Sequence, residues 1–209
     1  MRFSIYMTLI LAFTACNTQP SKPRLPYFLG PQMEPKWIIP GDDISAFNRI
    51  RKYSLQDQEQ SLTRNDTAHL KVVHFFQWPC NASCSELSRI MNELQKRYKS
   101  DEQVQLISFA YPGNDTNANN LSDYKRKYQP AIEKWKILSG NETSMQGLLH
   151  EMPELSIGGK SSVPDFHNLY LADRAGYIRG IYDPSTPADL ENLYLDIEIQ
   201  KKTPHKFSP

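Results

Sequence analysis

The run from Leu70 to Tyr98 constrains this chain more than any other stretch. Leu70-Lys71-Val72-Val73-His74-Phe75-Phe76 is β-branched and aromatic with little alternation, the pattern of a strand buried on both faces. After Pro79 comes Cys80-Asn81-Ala82-Ser83-Cys84. From Ser83 to Tyr98, the residues Leu87, Ile90, Met91, Leu94 and Tyr98 then recur at helical spacing. A buried strand therefore runs through a cysteine pair into an amphipathic helix. The amino terminus of a helix carries unsatisfied N–H donors and a partial positive charge, both of which stabilise a thiolate. Cys80 is read as the more acidic and exposed thiol, and a spacing of four puts Cys84 on the same face one turn further in. Two sulfurs so placed form a disulfide or grip one soft ion together.

The rest of the body supplies a sheet for that strand. Val104 to Phe109 is the next strand, followed by a loop with Pro112, Gly113, Asn114 and Asp115, and Leu121 to Tyr128 is a helix. Tyr53 to Leu55 reads as a strand before a polar turn at Gln56 to Gln60. Residues 140 to 164 hold a short helix from Met145 to His150 and a Gly-Gly-Lys-Ser-Ser loop at 158 to 162. Leu169 to Ala172 and Tyr177 to Tyr182 are strands around the Asp173-Arg174-Ala175-Gly176 turn, and Pro187 to Leu195 is a closing helix. Strand, helix, strand, helix, hairpin, helix is the layout of an α/β thioredoxin-like fold: a central mixed sheet flanked by helices. An extra strand or hairpin is expected from the proline- and aromatic-rich segment 27 to 47.

The amino terminus is an address. Arg2 is followed by a short apolar stretch from Ile5 to Phe13 and by small residues Thr14 and Ala15, the layout of a bacterial signal peptide. Phe13-Thr14-Ala15-Cys16 has the form of a lipobox, with Cys16 diacylated and first in the mature chain. The polar, proline-rich residues 17 to 26 form a tether. The chain divides into a signal peptide (1–15), a lipidated tether and lead-in (16–45), a thioredoxin-like domain (46–200) and a loose tail (201–209). This reading attaches the protein to the cell envelope by lipid and turns it to the periplasm, where a thiol pair is open to oxidation. A net charge of +1 over 209 residues gives no basic field for nucleic acid.

Of the three cysteines, the anchor takes Cys16 and leaves Cys80 and Cys84 as a closed pair. Free cysteines are commonly buried as small hydrophobes, but the junction after proline argues against that here. Zinc would want four ligands, and neither a second cysteine pair nor a His-x-x-x-His is present. Thiol exchange and Cu(I) capture both remain open, because two thiolates favour that soft ion.

Over roughly residues 50 to 197 the chain resembles the Sco (SenC) family of copper-handling thioredoxin-fold proteins. The resemblance rests on Val73-His74-Phe75-Phe76 leading into the C-x-x-x-C, and on Ser108-Phe109-Ala110-Tyr111-Pro112 with Asp115-Thr116. It extends to Trp135-Lys136-Ile137-Leu138-Ser139-Gly140 and to the tract from Leu171 to Tyr182. It implies copper held by Cys80, Cys84 and a distal histidine. It also implies delivery of copper to a respiratory copper enzyme, or reduction of that enzyme's thiols, by a metallochaperone or redox carrier rather than a turnover enzyme.

The chain departs from the family pattern in three places. Gln77-Trp78-Pro79 and Asn81 replace the family's Thr-x-Cys-Pro, and Tyr111 stands where an aspartate normally precedes the proline. The register expected for the metal histidine falls on Asp165, an oxygen donor ill suited to Cu(I). His167 lies two residues later; on a strand it would face the same way, displaced by roughly 7 Å. If His167 does not reach the sulfurs, Cys80 and Cys84 make a metal-independent thiol–disulfide oxidoreductase, with Cys80 attacking and Cys84 resolving. A peroxidase relative would want threonine where Gln77 stands, and a binding module that has lost the chemistry is the remaining reading. His74 is expected in the core, His69, His150 and His205 at the surface, and Lys134-Trp135-Lys136 as a packed tryptophan between solvated lysines.

Overall fold

The computed structural model describes residues 25–39, 41–51, 53–64, 67–77, 82–111, 119–156 and 163–203. Its strands are β1 (Tyr27–Leu29), β2 (Glu34–Lys36), β3 (Ser54–Gln56), β4 (Leu62–Arg64), β5 (Leu70–Gln77), β6 (Val104–Tyr111), β7 (Trp135–Ser139), β8 (Leu169–Ala172) and β9 (Ile178–Tyr182). Its helices are α1 (Ala82–Arg97), α2 (Asn119–Tyr128), α3 (Glu142–Glu151) and α4 (Pro187–Lys202), with a 3₁₀ turn at Pro153–Leu155.

Seven strands form one mixed sheet in the order β4-β3-β7-β6-β5-β8-β9. The three central strands β5, β6 and β7 are parallel, and the outer pairings are antiparallel. Parallel central strands need cover on both faces, and β5 is buried at every residue but its last. On one face Val72, Phe76, Leu106, Trp135 and Ile137 pack under Leu87, Ile90, Met91 and Leu94 of α1, Tyr124 of α2, and Leu193 and Ile197 of α4. On the other, Val73, Phe75, Ile107, Phe109 and Leu138 pack against Met145, Leu148 and Leu149 of α3 and against Ile50 and Tyr53 of the lead-in.

β1 and β2 form a separate hairpin laid against the β9 edge. The backbone N–H of Ile178 donates to Asn48 O, and that of Ile50 donates to Gly176 O. Arg179, almost fully buried, fastens the incoming chain. Its guanidinium donates to Leu25 O (2.5 Å) and Pro26 O (2.9 Å), lies 3.7 Å from the Tyr27 ring centroid, and pairs with Asp173 at 3.3 Å. A sheet edge left open is a template for aggregation, and this lead-in covers it.

The structure extends the sequence reading at several elements. β7 and β4 were not foreseen as strands, and α4 continues to Lys202 instead of stopping at Leu195. The expectation of solvated lysines around Trp135 fails for Lys134. Its side chain is buried, and its Nζ donates to the carbonyls of Asp101 and, at 2.6 Å, Val104.

Candidate functional site around Cys84 and the sheet end

β5 leaves the sheet at Gln77 and α1 opens at Ala82, so the cysteine segment does span a strand-to-helix junction. Cys84 lies in the first turn of α1, is 4% exposed, packs in the α1-side core, and is disulfide-bonded. Cys80 and Cys16, the two other cysteines of the sequence, lie outside the described residues.

Beneath Cys84 runs a chain of buried polar groups. Tyr124 Oη donates to Ser88 Oγ at 2.8 Å, and Ser88 Oγ donates to the carbonyl of Cys84 at 2.8 Å. A second set lies alongside. His74 Nδ1 sits 3.2 Å from Phe75 O, an acceptor only, so Nδ1 carries the proton and Nε2 accepts from Ser108 Oγ at 2.6 Å. Trp135 Nε1 donates to the same Ser108 Oγ at 2.7 Å, and Tyr124 interacts with Ser108 as well as with Ser88. Burial in this apolar layer lowers the His74 pKa to about 4, only partly opposed by its bond to Phe75 O, and the imidazole is neutral at ordinary pH. Burial raises the Tyr124 phenol well above its ordinary value. His74 is thus the core residue expected from its strand. The network around it had one sequence signal, Ser108 standing inside the otherwise apolar run Leu106 to Ala110.

His167 lies at the same end of the sheet. β8 pairs antiparallel with β5, Val73 opposite Tyr170 and Lys71 opposite Ala172. Continued by three residues, that register sets His167 level with Phe76, where β5 approaches the cysteine segment. His167 does not lie in a strand, however; it occupies an exposed bend before β8. The bend is tied by Asp165, whose carboxylate accepts from the His167 backbone N–H (2.8 Å), Asn168 Nδ2 (2.7 Å) and Tyr170 Oη (2.7 Å). Same-face alternation therefore does not relate residues 165 and 167. Asp165, in the register expected for a metal histidine, works instead as a loop tie. His167 also comes within electrostatic reach of Asp183. The Asp183 carboxyl is held low first by the Ser185 hydroxyl and N–H, and to a lesser degree by the His167 charge. Phe166 meets Tyr111 edge-on at 6.2 Å, which brings this loop against the end of β6.

Of the other histidines, His150 is exposed, His69 is half-buried, and His205 lies outside the described residues. The Gly-Gly-Lys-Ser-Ser loop and the segment from Pro112 to Asp115 also lie outside them. Among the described residues, no three of the His, Cys, Asp and Glu side chains are grouped as a metal site, and no helix is long and apolar enough to cross a membrane.

Parallel central strands, an antiparallel β8–β9 hairpin and a cysteine in the first turn of the helix after β5 define the thioredoxin-like fold. No protein-family model matches the sequence, and no curated protein matches it. The likeness is to solved structures. A SCO1/SenC family lipoprotein from Bacillus anthracis superposes with a TM-score of 0.59 at 19% identity, over 74% of this chain and 95% of that one. ScoI of Bradyrhizobium japonicum, solved with copper bound, gives 0.52 at 16% identity, over 72% and 98%. The thioredoxin domain of a thiol-disulfide oxidoreductase from Bacteroides vulgatus gives 0.52 at 15% identity, over 71% and 94%. At these identities it is the fold that is shared.

Proposed function

We propose that this chain is a divergent Sco-like protein of the bacterial cell envelope, lipid-anchored through Cys16 and facing the periplasm. In this reading it binds Cu(I) through the reduced Cys80–Cys84 pair with His167 as third donor. Its role is to pass copper to a respiratory copper-enzyme subunit or to keep that subunit's thiols reduced. The observation that supports the reading is topological: a disulfide-bonded Cys84 in the first turn of α1, the helix after β5, and a His167 loop leading into β8, the strand paired antiparallel with β5. The donor chemistry fits the cargo: two thiolates and an imidazole suit a soft monovalent ion, and the hard Asp165 carboxylate is already engaged with three donors.

The two activities alternate on one pair of sulfurs. As a dithiol, the pair gives two electrons to a partner disulfide. One of the chain's thiolates attacks a partner sulfur and breaks its S–S bond to give a mixed disulfide, and the chain's second thiolate displaces the partner's thiol. The partner leaves with two thiols and the chain as a disulfide; a second dithiol protein returns the pair to two thiols by the same exchange, and only that reduced form offers two sulfurs to Cu(I).

The second reading is thiol–disulfide exchange with no physiological metal, with Cys80 attacking and Cys84 resolving. It is favoured by the exposure of His167 in the bend before β8. Anaerobic titration of the reduced full-length protein with Cu(I) against a chromophoric chelator separates the two. The copper reading expects one equivalent bound, lost in Cys80→Ser and Cys84→Ser and weakened about tenfold or more in His167→Ala. Unchanged affinity in His167→Ala removes that residue from the site. Absence of stoichiometric binding, with disulfide exchange intact, establishes the oxidoreductase instead.

A further inference from the structure

The β1–β2 hairpin ends in the sequence Trp37-Ile38-Ile39. Trp37 and Ile39 are each 69% exposed, the two most exposed large hydrophobic side chains among the described residues. Large apolar side chains grouped on a surface mark an interaction site.

Their position narrows the occupant. Tyr27 pairs with Lys36, so Trp37 stands beside Pro26, the point at which the chain arrives from Cys16. That entry point does not swing free of the body, because Arg179 grips the carbonyls of both Leu25 and Pro26 and stacks on Tyr27. Ten residue steps separate Cys16 from Pro26, which fully extended reach about 35 Å and as a flexible coil average roughly 18 Å. Tryptophan favours the boundary between headgroups and acyl chains, where its apolar rings and polar N–H are both accommodated. An anchor that keeps a surface within a few tens of ångströms turns a weak contact into a largely occupied one.

We infer that Trp37 and Ile39 form a second membrane contact, inserting at the lipid–water interface beside the tether and fixing the orientation of the domain on the bilayer. This inference rests on the lipid-anchor reading for its geometry. The hairpin would hold the β9 edge of the sheet toward the membrane, and with it the attitude in which the cysteine end meets a membrane-bound partner.

The test uses the full-length protein purified from bacterial membranes and reconstituted into vesicles of phosphatidylethanolamine and phosphatidylglycerol with brominated acyl chains. Quenching of tryptophan emission is compared in wild type and Trp37→Phe, and mass spectrometry of the amino-terminal peptide reports the lipid on Cys16 separately. The expected result is a quenched emission component in wild type that Trp37→Phe lacks, reduced by about half or more in Ile39→Asp. Equal fractional quenching of wild type and Trp37→Phe overturns the inference. A lipidated Cys16 with unquenched Trp37 overturns the hairpin contact and leaves the anchor standing, and the reverse pair of results does the opposite. A blue shift of Trp37 emission that follows protein concentration and not lipid assigns the patch to a second copy of the chain, and likewise overturns it.

Discussion

The two faces of the central sheet are packed with different chemistry. The face under α3 is filled by Phe75, Phe109, Ile107, Met145, Leu148 and Leu149, with the edge-on pair of Tyr53 and Phe109 at 5.4 Å. The face under α1 and α2 holds Phe76, Tyr124 and Trp135 in a comparable aromatic cluster, but it also carries His74, Ser88 and Ser108 in hydrogen-bonded contact. Both faces come from the same strands, since alternate residues of β5 and β6 point to opposite sides. The linked hydrogen bonds of His74, Ser108, Tyr124 and Ser88 lie on the side where Cys84 sits. Where Phe75, Ile107, Phe109 and Leu138 meet α3 the contacts are apolar, and losses there scale with volume. The second face depends on mutual satisfaction of donors and acceptors, so one deletion exposes several groups at once.

The sharpest way to break that comparison is Ser108→Ala. The substitution removes only the hydroxyl that serves His74 Nε2, Trp135 Nε1 and Tyr124 together. With buried groups left unpaired at 1–3 kcal/mol each, the expected loss of unfolding free energy is about 4 kcal/mol by urea denaturation. Met145→Leu, a volume-conserving change on the α3 face, is expected to cost under about 1.5 kcal/mol. Equal losses would show that the two faces respond alike and that the polar chain carries no special sensitivity.

His74 gives the next largest effect, through pH. Its pKa falls from 6.5 to about 4 on folding, so in that interval the unfolded chain binds a proton that the folded chain refuses. Stability from this residue is fully present above pH 6.5 and is lost as pH falls toward 4, by about 3 kcal/mol in all. Urea unfolding at half-unit steps from pH 7 to 4 should show that slope, and His74→Leu, whatever its own cost, should flatten it. A slope that survives the substitution would place the titrating group elsewhere.

Much of this architecture was legible in the sequence, and the gaps have physical causes. β5, α1, β6 and the β8–β9 hairpin read correctly because each is long or strongly patterned. Gly176, at φ +91, supplies the left-handed residue that the turn after Asp173 requires. β3 was expected at Tyr53 to Leu55, one residue from its place, whereas β4 is three residues with one buried side chain, too little for a period to register. β7 was hidden because its neighbour Lys134, which reads as polar surface, is buried against carbonyls 30 and 33 residues earlier in the chain. α4 outran its expected end because Leu195 faces solvent while Leu193 and Ile197 are buried, which blurs the apolar stripe. The site was half legible. The place of Cys84 at the start of the helix after β5 was legible, whereas the bend at His167 is set by the three hydrogen bonds of Asp165, a tertiary arrangement that strand alternation could not foresee. The grip of Arg179 on Leu25 and Pro26 spans more than 150 residues and left no local trace.

The smallest effect sharpens the comparison most, because it asks whether the polar face touches the chemistry or only supports it. Tyr124→Phe removes one hydroxyl from the chain that ends on the Cys84 carbonyl. One buried hydrogen bond lost with its donor is worth about 1 kcal/mol of stability. The chain ends on a backbone oxygen, not on sulfur, so none of its hydrogen bonds uses an atom that changes when the disulfide is reduced. The same loss is therefore expected in both redox states. Linkage then requires an unchanged reduction potential, since a difference of 1.4 kcal/mol between the states would appear as about 30 mV. Unfolding of the oxidised and reduced forms, together with equilibration in glutathione buffers, measures both quantities. A shift of about 20 mV or more would mean that the hydroxyl chain discriminates between disulfide and dithiol. The polar face would then be part of the redox centre, and the contrast between the two faces would be one of function as well as packing.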